Sequence, residues 1–305
     1  MKNLITIALS GLLLFGVYGC NSNTESSEGR VLIGPRYSGD ASGEGEDICE
    51  INEIRELYEN FSESFEQYAK KGEVKTINIF NTEIKSELER IERYLSSRTI
   101  RTYYETGKTG SYIFDAKSGK LIHFAFSRSE DGSHIFPEGY EVKTTLGTLE
   151  EVEKDAQEIL EKYFDEKIDL NCFIKTIHPE EPYQFIISYV KLTNSIWTSD
   201  MHFRADKYGN IYFFTICDFT DNRSVKVPDL EDKVYIDGAK ERIDEFYKDN
   251  ENVVEVKDYE VTRSKILAYL PMIDSDAVEY GVDYTLVYKD GTERKTGNQF
   301  YYLFD

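Results

Sequence analysis

Thr148-Leu149-Glu150-Glu151-Val152-Glu153-Lys154-Asp155-Ala156-Gln157-Glu158-Ile159-Leu160-Glu161-Lys162-Tyr163 opens the most legible unit of this chain. Its apolar residues Leu149, Val152, Ala156, Ile159, Leu160 and Tyr163 recur at three- and four-residue spacing, the period of a helix with one buried face. Thr148 and Glu151 stand in the S/T-x-x-E relation of a capping box. Segments rich in β-branched and aromatic residues follow at 170–177, 183–192, 197–205 and 210–219, with Lys207-Tyr208-Gly209-Asn210 as the turn between the last two. The unit reads as one helix followed by an antiparallel sheet.

The same order then recurs. Asp237 is placed to cap a helix whose Ala239, Ile243, Phe246 and Tyr247 share a face, and strands are expected at 253–261, 265–273, 282–288 and 299–304. Lys289-Asp290-Gly291 begins the last connection. A more divergent unit stands ahead of both. In it Ile51, Ile54, Tyr58, Phe61, Phe65 and Tyr68 mark one helix, and Ile84, Leu88, Ile91 and Leu95 mark another. Strands are expected after them at 99–105, 111–114 and 120–126. A shared element order at a period of about 75 residues is the mark of a structural duplication. The expected fold is α+β, with tandem modules at 48–128, 140–222 and 229–305, each of one or two helices packed on its own antiparallel sheet. The polar run 220–226 with Pro228, and the Ser, Asp, Gly and Pro content of 128–139, supply the boundaries.

The turns Asp115-Ala116-Lys117-Ser118-Gly119 and Asp206-Lys207-Tyr208-Gly209 each place an aspartate ahead of a glycine between two strands. A helix, then a sheet closed by a strand, a D-x-x-G or D-x-x-x-G turn and another strand, resembles the PepSY domain. The resemblance implies a non-catalytic module of the bacterial cell envelope, of the kind associated with restraining a peptidase. It brings no catalytic residues with it.

The N-terminus carries an address. Residues 4–18 are almost wholly apolar and follow one lysine; the run is shorter than the roughly 20 residues a membrane-spanning helix needs and reads as the apolar part of a signal peptide, 1–19. Val17-Tyr18-Gly19-Cys20 resembles the lipobox of bacterial lipoproteins, which implies lipidation of Cys20 as the first residue of the mature chain. Anchoring would then be to the extracytoplasmic face of a bacterial membrane, through the lipid, at about 0.8 kcal/mol for each buried CH2. Residues 20–47 are rich in Ser, Asn, Glu and Gly and read as a flexible tether.

The formal charge is −21, and −22 once removal of 1–19 takes away one lysine. Such a surface repels nucleic acid and anionic lipid headgroups, so nucleic-acid binding is excluded as an expectation. With 23 tyrosines and 18 phenylalanines the body has ample material for packed cores. Beyond Cys20 stand Cys49, Cys172 and Cys217, of which the last two either pair or remain buried thiols.

Catalytic signatures are few. His123, His134, His178 and His202 form no metal-ligand spacing, no G-x-S-x-G is present, and Gly43-Glu44-Gly45 has no strand and helix around it. Asp274-Ser275-Asp276 with Glu279 lacks the glycine and the distant glutamate of a calcium loop. No cofactor or metal is expected. The aromatic runs Tyr103-Tyr104, Tyr212-Phe213-Phe214 and Phe300-Tyr301-Tyr302 place rings on both faces of their strands. The function expected is that of a lipid-anchored, non-catalytic module that binds an envelope protein or peptide by an open sheet edge or an aromatic sheet face. The alternative is an envelope hydrolase with a carboxylate site between modules.

Overall fold

The computed structural model describes residues 29–37, 53–79, 82–94, 97–106, 110–163, 169–178, 184–220 and 224–304. Along the chain, β1 (Val31–Tyr37) and α1 (Glu53–Glu59) precede β2 (Val74–Ile79), β3 (Thr82–Arg93), β4 (Ile100–Thr106), β5 (Gly110–Asp115) and β6 (Leu121–Phe126). Then come α2 (Leu149–Tyr163), β7 (Ile174–His178), β8 (Gln184–Thr193), β9 (Ile196–Asp206) and β10 (Ile211–Asp218). Last are α3 (Asp232–Tyr247), β11 (Val253–Val261), β12 (Ile266–Leu270), β13 (Ser275–Tyr288) and β14 (Glu293–Leu303). No helix among the described residues is long and apolar enough to cross a membrane.

Local chemistry sets the ends of these elements. At the start of α2 the Thr148 N–H donates to Glu151 Oε2 at 2.9 Å and the Glu151 N–H donates to Thr148 Oγ1 at 3.3 Å, the reciprocal bonds of a capping box. Three hairpins turn on an aspartate and a left-handed glycine. Asp206 accepts the N–H groups of Tyr208 and Asn210 ahead of Gly209 (φ 83°) in the second of them. Asp115 accepts the Ser118 N–H beside Gly119 (φ 71°), and Asp290 accepts the Thr292 N–H beside Gly291 (φ 82°).

Three helices expected from spacing are corrected. The first, α1, ends at Glu59, so Phe61, Phe65 and Tyr68 lie beyond it. Ile84, Leu88 and Ile91 lie on β3, not on a helix. Ile84 and Leu88 share a face by simple alternation, and an irregularity between Leu88 and Arg90 shifts the register by one residue. Ile91 thereby returns to the core side with Ile84 and Leu88. One bulge thus turns a period of two into spacings of four and three. Asp237 does not cap α3, which starts at Asp232 and has Glu231 at its cap position with no side-chain bond. The apolar face extends one turn further back than Ala239, through the buried Tyr235.

The fold class is corrected as well. Strands dominate, and all fourteen belong to one mixed sheet, so the chain is mostly β rather than a row of α+β modules with separate sheets. The reason lies in the edges. An isolated module would leave one side of β6 and one side of β10 open, and here those sides pair with each other, Phe213, Phe214 and Thr215 lying opposite Ala125, Phe124 and His123. This gives a nine-strand antiparallel half in the order β2-β3-β4-β5-β6-β10-β9-β8-β7. In the other half β1, β14 and β13 pair in order, and β12 and β11 both pair with β13 along different stretches of it. The halves meet at one parallel pair, Ile266 opposite Trp197, where the Trp197 N–H donates to the Lys265 carbonyl at 2.7 Å.

Each half has a helix-covered core, and that of the α3 half takes in Ile196 and Cys217 from the nine-strand half. Val152, Ala156, Ile159 and Leu160 of α2 pack with Phe124, Phe203 and Phe214 of the nine-strand half. In the other half Tyr235, Ala239 and Ile243 of α3 pack with Tyr280, Tyr284 and Phe300, while Ile54 of α1 packs against Leu32, Leu270 and Tyr301. Strand β1 falls inside the stretch read as a tether. Val31 and Ile33 belong to the α3 side and Leu32 to the α1 side. A strand covered on both faces is a run of consecutive apolar residues without polar alternation.

Candidate functional site

Strand β2 ends the nine-strand half, and no described strand pairs its outer side. The Leu88 N–H donates to the Glu73 carbonyl at 2.8 Å, which sets the parity of the ladder. Residues 73, 75 and 77 therefore turn their backbone groups toward β3, and Val74, Thr76 and Asn78 turn theirs outward. These three side chains are exposed, Val74 by 62%. On the opposite face Ile77 is buried in the core.

A cleft of about 340 Å³ adjoins this edge. Val74, Lys75 and Thr76 of β2 form one wall, Thr102 and Tyr104 of β4 with Phe114 of β5 form the floor, and Tyr68 and Glu73 stand at the rim. Tyr104 and Phe114 meet edge to face at 5.6 Å, and the Lys75 ammonium lies 3.7 Å from the Phe114 centroid and 5.6 Å from that of Tyr104. No carboxylate among the described residues forms an ion pair with Lys75. Burial draws its pKa below the usual lysine value, against the pull of Glu73. The Tyr104 phenol is raised, first by burial and then by Glu73. The unit can accept a further strand on the outward backbone groups of β2, and present a cation and two rings to a side chain of that strand.

A second polar group lies on the sheet face away from α2. Arg101 is buried, with Nη2 donating to Cys217 Sγ at 3.1 Å and its guanidinium carbon 3.5 Å from the centroid of Tyr94. Burial, then the neighbouring Asp200, push the Cys217 thiol up to about 11, so it is no nucleophile near neutral pH. Beside it Ser188 Oγ is 2.8 Å from His202 Nδ1, and His202 Nε2 is 3.4 Å from Asp200 Oδ2. Serine, imidazole and carboxylate are in sequence here, but Ser188 sits in mid-strand between β7 and β9. Its backbone neighbours are committed to the ladders with β7 and β9.

The residues singled out from sequence fall in several places. Cys20 and Cys49 lie outside the described residues. Cys172 is an exposed free thiol and Cys217 a buried one, so they do not pair. His123 is on β6 with its ring 5.1 Å from Phe213; His134 stacks on Tyr212 at 3.6 Å; His178 ends β7. Asp274 accepts the Tyr269 hydroxyl at 2.7 Å and, with Asp276, pairs with Arg98. No group of metal-ligating side chains occurs among the described residues. One carboxyl among the described residues, that of the exposed Glu105, has its pKa raised, by burial and then by Glu89.

Of the aromatic runs, Phe300 and Tyr302 are covered on the α3 side and Tyr301 on the α1 side. Tyr104, Tyr212 and Phe214 are core, whereas Tyr103 and Phe213 stay half-buried on the face away from α2. Lys75 and β2 were missed by sequence reasoning. The density of β-branched residues in Val74-Lys75-Thr76-Ile77-Asn78-Ile79 is the signal that marks them. No protein-family model matches this chain, and neither a curated protein nor a solved structure matches it.

Proposed function

We propose that this chain is a lipid-anchored, extracytoplasmic binding module with no catalytic chemistry of its own. It takes an extended segment of an envelope protein or peptide onto the free edge of β2. The observation that carries this reading is the edge itself: outward backbone groups at Val74, Thr76 and Asn78 beside a cleft holding Lys75, with which no described carboxylate forms an ion pair. The lipobox at Val17-Tyr18-Gly19-Cys20 supports the anchoring, and the formal charge of −21 argues against nucleic acid as partner.

The test is affinity capture from detergent-solubilised envelope with the full chain and with Thr76→Pro, which removes an outward N–H while leaving the ladder to β3 intact. A protein recovered with the former and lost with the latter supports the edge. Equal recovery with both removes it. A peptidase among the edge-dependent proteins would fit the restraining role that the PepSY resemblance implies.

The hydrolase reading has its best footing in Ser188, His202 and Asp200. It is tested by a fluorophosphonate probe, whose attachment at Ser188 and loss on His202→Gln would establish an activated serine.

A further inference from the structure

We infer that the partner strand on β2 carries an aspartate or glutamate side chain, which Lys75 receives in the cleft. This deepens the reading of β2 as a docking edge and rests on it. Lys75 has rings beneath it and no carboxylate partner among the described residues, although the chain holds 57 acids to 36 bases. What sets Lys75 apart is its place: its ammonium lies over the Tyr104 and Phe114 rings in the lining of the cleft beside the edge.

Geometry supplies the second step. A strand added outside β2 places one of its side chains directly opposite Lys75 on the cleft face, about 4.5 to 5.5 Å away between Cβ atoms. Aspartate or glutamate at that position reaches the ammonium without leaving the sheet. The Tyr104 and Phe114 rings bound the cleft below and hold the ammonium in a partly desolvated place, where a charge-assisted bond is stronger than in water. Glu73 and Asp115 also line the cleft and oppose a carboxylate elsewhere in it, so the position beside Lys75 is the one that selects the acid. An apolar residue there would leave the ammonium desolvated and unpaired, which is the discriminating cost.

The test pans a random peptide library, displayed as N-terminal fusions so that no free C-terminus is offered, against the full chain. Expected is enrichment of peptides with Asp or Glu at one fixed position, and loss of that preference on Lys75→Met. An enriched peptide remade with Gln for Glu should bind the wild type about tenfold more weakly and the Lys75→Met variant no differently. Peptides whose binding is lost on Thr76→Pro but which show no acidic position would overturn the inference and leave the docking edge standing. If peptide binding is indifferent to Thr76→Pro, and peptide addition gives no hydrogen-exchange protection at Val74, Thr76 and Asn78 of the wild type, the docking edge fails and the inference with it. The exchange measurement needs no variant, so a folding defect in Thr76→Pro cannot mask the outcome.

Discussion

A Cβ placed on Gly238 would lie 2.6 Å from Val31 Cγ2, so α3 rests on β1 at a distance that a glycine permits. In an open helix, Gly→Ala adds about 1 kcal/mol of stability by propensity alone. Here the added methyl meets a buried β-branched side chain, and overpacking of this kind costs about 1 to 3 kcal/mol. Gly238→Ala is therefore expected to destabilise, by roughly 1 kcal/mol net. Adding Val31→Ala should restore part of the loss, a coupling that a double-mutant cycle in urea would read. A stabilising Gly238→Ala would show that β1 does not pack on α3 in solution.

The two described cysteines should differ sharply toward iodoacetamide. Cys172 is exposed, and Cys217 is buried against Arg101 with its pKa pushed to about 11. At pH 8 such a thiol is thiolate in about one molecule in a thousand, before burial slows the reagent further. Site-resolved mass spectrometry of the native protein should find Cys172 modified and Cys217 intact, with Cys217 reacting only on unfolding. Equal labelling of both would contradict the packing of Tyr94 and Arg101 over Cys217.

His123 should make the fold sensitive to mild acid. Its imidazole is pushed down to about 4 by burial and then by Arg101, from an ordinary 6.5. Between those values the unfolded chain binds the proton and the folded chain does not, so stability falls as pH drops from 6.5 toward 4. The loss over that window is on the order of 2 to 3 kcal/mol. His123→Asn removes this titration but leaves the surrounding carboxylates, so the slope of stability against pH between 4 and 6.5 should flatten relative to wild type. An unchanged slope would place the burden on other groups.

Much of the fold was legible because its signals are local. Thr148 and Glu151 announce a cap, and Asp206 with Gly209 a hairpin, through residues within a few positions of each other. The joining of modules was not legible, since the pairs Thr215 with His123 and Ile266 with Trp197 connect residues far apart in sequence. Nothing in either strand's own pattern states which edge it will meet. Ile84, Leu88 and Ile91 misled for a different reason: a bulged strand and a helix write the same spacing. The candidate site escaped because Lys75 is an ordinary lysine until Tyr104 and Phe114, each on another strand, are brought beneath it.

Cys20 is the remaining point at which chemistry and sequence meet. Because β1 begins at Val31 rather than beyond residue 47, only the chain between Cys20 and Val31 separates an anchored cysteine from the sheet. At no more than about 3.6 Å per residue that stretch spans at most about 40 Å. A lipid on Cys20 would therefore keep the body within that distance of the bilayer, closer than a tether ending at 47 could. Cys20→Ala should abolish incorporation of an alkyne-tagged fatty acid and move the protein from the membrane to the soluble fraction. A fluorophore pair between the β1 end of the body and the lipid headgroups should report proximity for the wild type alone. Persistence of the acyl label in Cys20→Ala would mean that Val17-Tyr18-Gly19-Cys20 is not the lipidation site, and the membrane would then have to be reached some other way.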